Sequence, residues 1–321
     1  MSKITDLAEL KATELTENDI LLIRDVSASA DKSIVLKSIM NMLANHNIPR
    51  YVNGSLGMDI TSYYQDGSLW KRLNGTDGYA LFEDVCVGDY FKMSRAVTCP
   101  DSYNGQTGSE WVTIAGINTL RGNGDTISMD YNHLVMIPGK GEAGTQHFGR
   151  HAMNASNTTA NGYIGSDMHT SVLGAVTNSG STASGATINQ QLYAEFGSHL
   201  KTTRELLSSA MTATLYNKFG SADGASSGWV WTDCQAVLMS EVEAYGSVVW
   251  SSSGFDTGTA KTRLPLFAFS TKALNNRLAY YWLKDIASAS VFCIVNSDGY
   301  ATYYYASHAN HCVRPRFVLA A

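Results

Sequence analysis

Short apolar runs separated by turn residues organise most of this chain. Four such runs have the length of a strand: Trp111–Asn118, His133–Pro138, Gln235–Glu241 and Cys312–Leu319. Apolar runs this short, bounded by turn residues, are typical of buried strands. The stretches between them are rich in Gly, Ser, Asn and Thr and indicate surface loops. With the helical segments described next, the pattern predicts an α+β fold.

Two segments have the apolar spacing of a helix. The first begins at Ser33, and its apolar face consists of Leu36, Ile39, Met40 and Leu43. The second begins at Thr187, which forms a capping-box pattern with Gln190. Its apolar positions are Leu192, Phe196 and Leu200.

The same patterns divide the chain into three parts. Residues 1–48 form a small module with a strand at Ile20–Val26, too small to be very stable unless it docks or self-associates. Residues 49–78 form a connector in which short strand-like pieces alternate with Asn-Gly and Asp-Gly turns. Residues 79–321 form one long α+β domain.

The tail of that domain contains a strand that breaks the expected alternation. Asn296–Gly299 has the chemistry of a hairpin turn, and three consecutive tyrosines follow it at Tyr303, Tyr304 and Tyr305. Successive side chains of a strand point to opposite faces, so this segment carries aromatic groups on both. Either both faces are covered, or some of these tyrosines contact another molecule.

Composition excludes several functional classes. The 321 residues are 44% hydrophobic and 16% charged, which is typical of a globular protein with a core. A net charge of −5, without a Lys/Arg cluster, argues against nucleic-acid binding. The sequence has no apolar run long enough to insert into a membrane and no signal-peptide pattern, so we expect assembly in a cytosol. Its five cysteines are odd in number and widely spread, which argues against a disulfide framework.

Two glycine patterns resemble catalytic motifs but lack the required context. Gly139–Gly144 has the spacing of a dinucleotide-binding loop, yet no amphipathic helix follows it. Gly224–Gly228 has the spacing of a nucleophile elbow, without the buried strand before it or the helix after it. We interpret both as loops.

Three pairs of residues could form catalytic or metal sites, but a structural role explains each of them more simply. His147 and His151 are interpreted as loop histidines rather than metal ligands, and Glu241 and Glu243 as exposed charges. Cys293 and Cys312 fit buried, unreactive thiols better than a redox or copper pair. We therefore predict no catalytic residue, no metal site and no cofactor.

The tail has an unusual residue usage. From Ile286 to Val313 it contains no Lys, Glu, Gln, Met or Trp, although all five occur elsewhere in the chain. None of these five amino acids is encoded by a codon that differs from AAC or AAT only in its first two bases. The residues present in the tail are all accessible in that way.

That usage accompanies a resemblance to a known family. Tyr280–Leu319 resembles the variable region of diversity-generating retroelement target proteins, with Trp282–Asp285 and Val313–Phe317 in the places of its conserved opening and close. Lys284 and Arg316 depart slightly from that pattern. Upstream segments resemble gut-phage tail or fibre proteins: Cys86–Met93, Trp111–Asn118, His133–Lys140, Asn161–Leu173, Phe196–Ala210, Leu238–Ser247 and Leu264–Ser270. Ile4–Ile39 resembles the virion-anchoring module of phage fibres.

The resemblance implies a C-type-lectin-like domain of the formylglycine-generating-enzyme-like subtype, with a variable region at about 281–316. It implies a non-enzymatic phage receptor-binding protein, a homotrimer whose N-terminal module contacts other virion proteins and whose tail binds a glycan or protein receptor on the host cell. The expected location of the protein is the virion, which is assembled in the bacterial cytoplasm. The protein is expected neither to bind nucleic acid nor to insert into a membrane. Alternatives are a structural capsid or tail decoration protein, and an oxidase of the formylglycine-generating type that uses a cysteine pair.

The resemblance also assigns individual tail residues. The expected ligand-binding surface comprises Ser288, Ser290, Val291, Ile294, Ser297, Tyr300, Thr302, Tyr303, Tyr304, Tyr305, His308 and Asn310. The expected scaffold comprises Trp282, Phe292, Val295, Val313, Phe317 and Leu319. Arg314 is expected to pair with a carboxylate or carbonyl beneath the surface, because an arginine between core strand residues must be satisfied.

Overall fold

The computed structural model describes residues 20–25, 30–35, 47–126, 129–211, 226–251, 262–274 and 279–321. It confirms a mixed α+β fold, with 20% helix and 28% strand. The helices are α1 Thr61–Gln65, α2 Ser68–Asn74, α3 Ile188–Phe196, α4 Glu241–Tyr245, α5 Pro265–Phe269 and α6 Thr271–Leu274. The strands are β1 Ile20–Asp25, β2 Ala30–Val35, β3 Tyr51–Val52, β4 Ser55–Leu56, β5 Tyr90–Lys92, β6 Trp111–Ile117, β7 Leu134–Pro138, β8 Leu200–Lys201, β9 Thr203–Met211, β10 Ser226–Cys234, β11 Val237–Leu238, β12 Tyr281–Ser288, β13 Val291–Val295, β14 Ala301–Tyr305 and β15 Pro315–Leu319.

The largest sheet has six strands and is organised around the C-terminal strand. Its order is β11-β15-β7-β6-β5, with β8 also pairing with β15, and its pairs are antiparallel. Strands β7 and β15 are buried throughout. Strands covered on both faces have continuous apolar runs in their sequences, which explains why these runs located them although they lack alternation.

A second sheet contains most of the tail. Strands β12, β13 and β14 pair in that order, all antiparallel, with Val295 opposite Ala301 across the hairpin. The side-chain oxygen of Asn296 accepts hydrogen bonds from the backbone N–H groups of Asp298 and Tyr300. Gly299 has φ of +83°, which a residue with a side chain adopts at a cost. The predicted hairpin is therefore confirmed.

The predicted helix at Thr187 is confirmed in its start and wrong in its end. Thr187 accepts a hydrogen bond from the Gln190 backbone, and the Gln190 side chain accepts one from the Thr187 backbone. The helix stops at Phe196, before Gly197 at φ +54°. Leu200 therefore lies in β8 and not on the helix.

The N-terminal prediction is confirmed for its strand only. Ile20–Asp25 forms β1 and pairs with Ala30–Val35, so Ser33 lies inside β2 and does not begin a helix. The turns of the predicted helix, with Leu36, Ile39, Met40 and Leu43, lie outside the described residues. The division at residue 48 stays a prediction.

Residues 49–78 pack as part of the large domain's core. Ile60, Leu69 and Leu73 are fully buried in the same hydrophobic cluster as Phe91 and Phe317. Helix α1 packs against the edge strand β5 and against α2. The predicted connector therefore contributes to the core of the domain that follows it.

Among the described helices, none combines the length and apolar character needed to cross a lipid bilayer.

Candidate ligand-binding surface

Strand β14 carries most of the exposed aromatic area of the tail. Tyr303, Tyr304 and Tyr305 have exposed fractions of 44%, 38% and 55%, and Tyr300 in the preceding turn reaches 71%. The neighbouring strand β13 is buried at every position. The core thus covers both faces of β13 but ends at β14, which leaves aromatic groups accessible on both faces of that strand.

The tyrosines lie against fixed neighbours. Tyr303 contacts Trp250 edge-on, with ring centroids 5.0 Å apart, and the Trp250 indole N–H donates to the Ala301 carbonyl at 3.0 Å. Tyr304 contacts His308 and His311 at centroid distances of 4.4 Å and 4.8 Å. Edge-to-face contacts of this kind hold aromatic rings in defined orientations. The rings of Tyr303 and Tyr304 are therefore held by neighbouring aromatic side chains.

Two adjacent clefts open on this surface. One, of about 310 Å³, is lined by Tyr103, Asn157, Tyr304, Tyr305, Ser307, His308, Ala309 and Asn310. The other, of about 360 Å³, is lined by Arg150, Ala279, Tyr280, Ser297, Tyr304, His308, Asn310 and His311. Because both share Tyr304, His308 and Asn310, these residues form the ridge between two halves of one trough.

A loop upstream in the chain supports the far side of the trough. The backbone N–H groups of Met153 and Asn154 both donate to the Ala306 carbonyl. The Asn157 side chain accepts hydrogen bonds from the backbone and hydroxyl of Ser307, at 3.1 Å and 2.7 Å. These bonds fix the segment that follows β14 without using the tyrosines.

Beneath the tail, Glu241 organises the segment that carries Trp250. Its carboxylate accepts hydrogen bonds from the backbone N–H groups of residues 249–251 and from the Ser251 hydroxyl, at 2.8–3.1 Å. Its own backbone N–H donates to Asp285 at 2.6 Å. Burial and the neighbouring Glu241 charge raise the pKa of Asp285 to about 7. A buried carboxylate thus positions the tryptophan against which Tyr303 packs.

A buried ion network joins four elements behind the tail. Arg316 of β15 donates to Glu243 of α4, and its Nη2 donates to both carboxylate oxygens of Glu205 of β9 at 2.8–2.9 Å. Lys284 of β12 lies 3.6 Å from Glu205. Arg316 and Glu243 are both fully buried. Lys284 and Arg316 are therefore buried and are not surface positions.

The structure divides the predicted surface residues into two groups. Tyr300, Tyr303, Tyr304, Tyr305 and Asn310 are exposed, and Ser288, Ser290, Ser297, Thr302 and His308 are half-buried. Two assignments are wrong: Val291 is 7% exposed and Ile294 0%. Both lie in β13, the central strand, where side chains of either face meet the core.

The predicted scaffold residues are confirmed as buried, each with an exposed fraction of 0% (Trp282, Phe292, Val295, Val313, Phe317 and Leu319). Arg314 is also buried and donates to the carbonyls of Ala273 and Leu274 and to the Gln146 side chain. This confirms the expected carbonyl partner.

The interpretation of Glu241 and Glu243 as exposed charges is wrong. Both have an exposed fraction of 0%. Glu243 also completes a capping box with Ser240, because its carboxylate accepts the Ser240 backbone N–H while its own N–H donates to the Ser240 hydroxyl. The Ser-x-x-Glu pattern in the sequence was a usable signal for this helix start.

The remaining motif interpretations have mixed outcomes. Gly139–Gly144 follows β7 as a loop, in agreement with the prediction. His147 is buried, which lowers its pKa to about 4, so it is not a solvated histidine. The first two residues of Gly224–Gly228 lie outside the described residues, and the other three belong to β10.

The two cysteines of the oxidase alternative have different surroundings. Cys293 lies beside Glu241 and Asp285, whereas Cys312 lies beside Arg150 and Cys99. Burial raises the pKa of each thiol. In the described part of the chain, no group of three His, Cys, Asp or Glu side chains is arranged to hold a metal ion.

Sequence reasoning missed the residues that the fold brings to the tail from elsewhere. Arg150, Asn157 and Trp250 all contact the tail from more than 30 residues away in sequence. No local pattern marks them, because their role depends on long-range packing. His311 lies within the tail, but it carried no signal that separated it from His308.

No protein-family model, curated protein or solved structure matches this chain significantly. Its function is therefore inferred from its own residues.

Proposed function

We propose that this chain is a phage receptor-binding protein whose tail, on a C-type-lectin-like domain, presents a diversified surface to the host cell. The observation that carries the proposal is the exposed aromatic run of β14. Large tyrosine rings that are accessible, oriented by fixed neighbours and supported by a buried sheet resemble the anchors of antibody paratopes. A protein without a binding partner has no reason to concentrate such rings on one strand.

The residue usage of the tail supports diversification as the origin of this surface. The segment without Lys, Glu, Gln, Met or Trp covers β13 and β14, and the exposed positions lie within it. The bracketing residues Trp282 and Phe317 are fully buried. This burial supports the proposal that the exposed tail positions vary while the buried residues at the ends of the tail support them.

The alternatives receive less support. A decoration protein needs no oriented aromatic surface, and it should bind no cell. For the oxidase alternative, the distinct neighbours of Cys293 and Cys312 offer no observation in favour of a working cysteine pair.

Binding to intact bacteria tests the proposal directly. Replacing Tyr300 and Tyr305 by Ser removes the two most exposed rings of the tail. We expect the labelled variant to lose host-cell binding, because truncating an aromatic anchor costs about 2 kcal/mol or more. Its thermal unfolding midpoint should stay close to that of the unmodified protein, because changes at exposed sites usually alter stability by about 0.5 kcal/mol or less.

A matched control is Tyr51→Ser, which removes a ring that is 51% exposed outside the tail. This variant should bind cells as well as the unmodified chain. Equal binding by all three proteins would contradict the proposal. Diversification is tested separately in the surrounding DNA, where a reverse transcriptase gene and a near-copy of the tail codons differing at adenines are expected.

A further inference from the structure

Arg150 contributes a positive charge to the trough without an acidic partner. Its Nη1 donates to the amide oxygen of Asn310, and its Nε is shielded from solvent without a hydrogen-bond partner. Among the ion pairs of the described residues, none includes Arg150. The nearby Cys312 thiol is neutral, since burial raises its pKa to about 12. A half-buried guanidinium normally pairs with a carboxylate or phosphate.

The cleft beside Arg150 has no acidic side chain in its lining. Its eight lining residues contribute one guanidinium, two tyrosine rings, two imidazoles, an amide, a hydroxyl and a methyl group. Its volume of about 360 Å³ lies within the usual range of small-ligand pockets, roughly 300–1,000 Å³. The electrostatic character of this half of the trough is therefore positive.

His311 provides a second, independent indication of an incomplete site. It is 2% exposed and lines the same cleft, and its Nε2 has no hydrogen-bond partner. Tyr280, Trp282, Tyr304 and His308 surround its ring at centroid distances of 4.5–5.3 Å. A buried polar atom without a partner carries a free-energy cost that a ligand can remove.

We propose that the Arg150 cleft is a subsite for the carboxylate of an acidic sugar residue in the receptor glycan. This inference rests on the proposed receptor-binding function and names its ligand class. The planar fork of the guanidinium matches a carboxylate, and a single cation balances its single charge. Phosphate, with a larger charge, would favour a cluster of cations, and the lining of the cleft has only Arg150.

The second half of the trough favours a sugar chain over an acidic peptide. It presents the hydroxyls of Tyr103, Tyr305 and Ser307 and the amide of Asn157, with no large apolar pocket for a side chain. Hydroxyl and amide groups beside aromatic faces suit the alternating polar and apolar surfaces of sugar rings. An acidic sugar bound at Arg150 would then place the next sugar of the chain over the ridge at Tyr304 and His308.

Arg150 lies outside the diversified segment, so its charge is the same whatever the tail encodes. The cleft walls at Ser297, Tyr304, His308, Asn310 and His311 lie inside that segment. Arg150 would therefore attract acidic glycans in every variant of the protein. The side chains of the tail would determine which of those glycans bind.

The test uses the full chain and an array of uronate- and sialate-bearing oligosaccharides, each printed beside its carboxyl-reduced form. We expect binding to at least one acidic oligosaccharide and none to its reduced counterpart. Arg150→Gln should weaken that binding at least about tenfold, because it leaves the ligand carboxylate unpaired. Arg150→Lys, which keeps the charge but not the fork, should weaken it less.

Arg95→Gln serves as the matched control, because Arg95 is exposed and does not line either half of the trough. It removes the same charge and should bind like the unmodified chain. Equal binding to reduced oligosaccharides, or unchanged binding by Arg150→Gln, would overturn the inference. Binding to cells without binding to any acidic oligosaccharide would also overturn it and leave the proposed function standing. Failure to bind cells at all would reject both. The comparison between native and reduced sugars needs no variant, so it holds even if Arg150→Gln folds poorly.

Discussion

Asp285 is a titratable residue beneath the tail, where it accepts a hydrogen bond from the backbone N–H of Glu241. Burial and the nearby Glu241 charge raise its pKa to about 7. A carboxyl group whose pKa is raised by folding binds its proton more tightly in the folded state. Its contribution to stability is therefore present at low pH and falls as pH rises from about 4, its ordinary value, through about 7. Asp285→Asn keeps an oxygen for the Glu241 N–H but cannot ionise.

We accordingly expect Asp285→Asn to gain stability relative to the unmodified protein between about pH 4 and pH 7. The measurement is the difference between their thermal unfolding midpoints at each pH. Comparison at equal pH cancels the opposite effect of the buried histidines, such as His133, whose pKa burial lowers to about 4. Asp298→Asn, the same change at an exposed turn position, is the control. A difference that does not vary with pH would refute this account of Asp285.

At the scale of elements, the buried ion network connects α4, β9, β12 and β15. Replacing Glu243 by Gln removes one of the two carboxylates that pair with the buried Arg316 guanidinium. We expect a loss of about 3 kcal/mol or more in the free energy of unfolding, as for other broken buried pairs. Glu110→Gln breaks the exposed Lys92–Glu110 pair, whose side chains are 45% and 46% exposed, and should cost less than about 1 kcal/mol. Chemical denaturation measures both, and equal losses would show that the buried network does not stabilise the fold.

The elements of this fold were predictable to different degrees. The buried strands β6, β7 and β15 and the hairpin at Asn296 follow from local patterns, because apolar runs and turn residues carry that information in sequence. Glu241 and Glu243 were not recognised as buried, because their partners at residues 249–251 and at Arg316 lie in other elements. The exposed tyrosines of the candidate site were predicted, whereas Arg150 and Asn157 were not. Only the folded chain brings those two residues to the tail.

At the scale of the whole molecule, the described hydrophobic core begins at Leu56. Deleting Met1–His46 should therefore leave a domain that unfolds cooperatively, while incorporation into virions is lost. We further expect the full chain to be a trimer by light scattering, since a small module gains most from burying its apolar face against copies of itself. A monomer at micromolar concentration, or a truncated chain without a cooperative transition, would contradict these expectations in turn.

Strand β14 lies at an open edge, since among the described strands it pairs only with β13. Proteins usually protect such an edge with lysine, proline or a bulge, because its free N–H and C=O groups can recruit another chain. Residues 301–305 contain no charge and no proline. Under the proposed diversification, codons of the AAC or AAT type could not supply lysine there. Under that proposal, the need for solubility limits which side chains the tail can carry. Variants that place several β-branched apolar residues on this edge should aggregate. Tyrosine, whose hydroxyl group can bind water, would then serve solubility at these positions as well as the proposed binding.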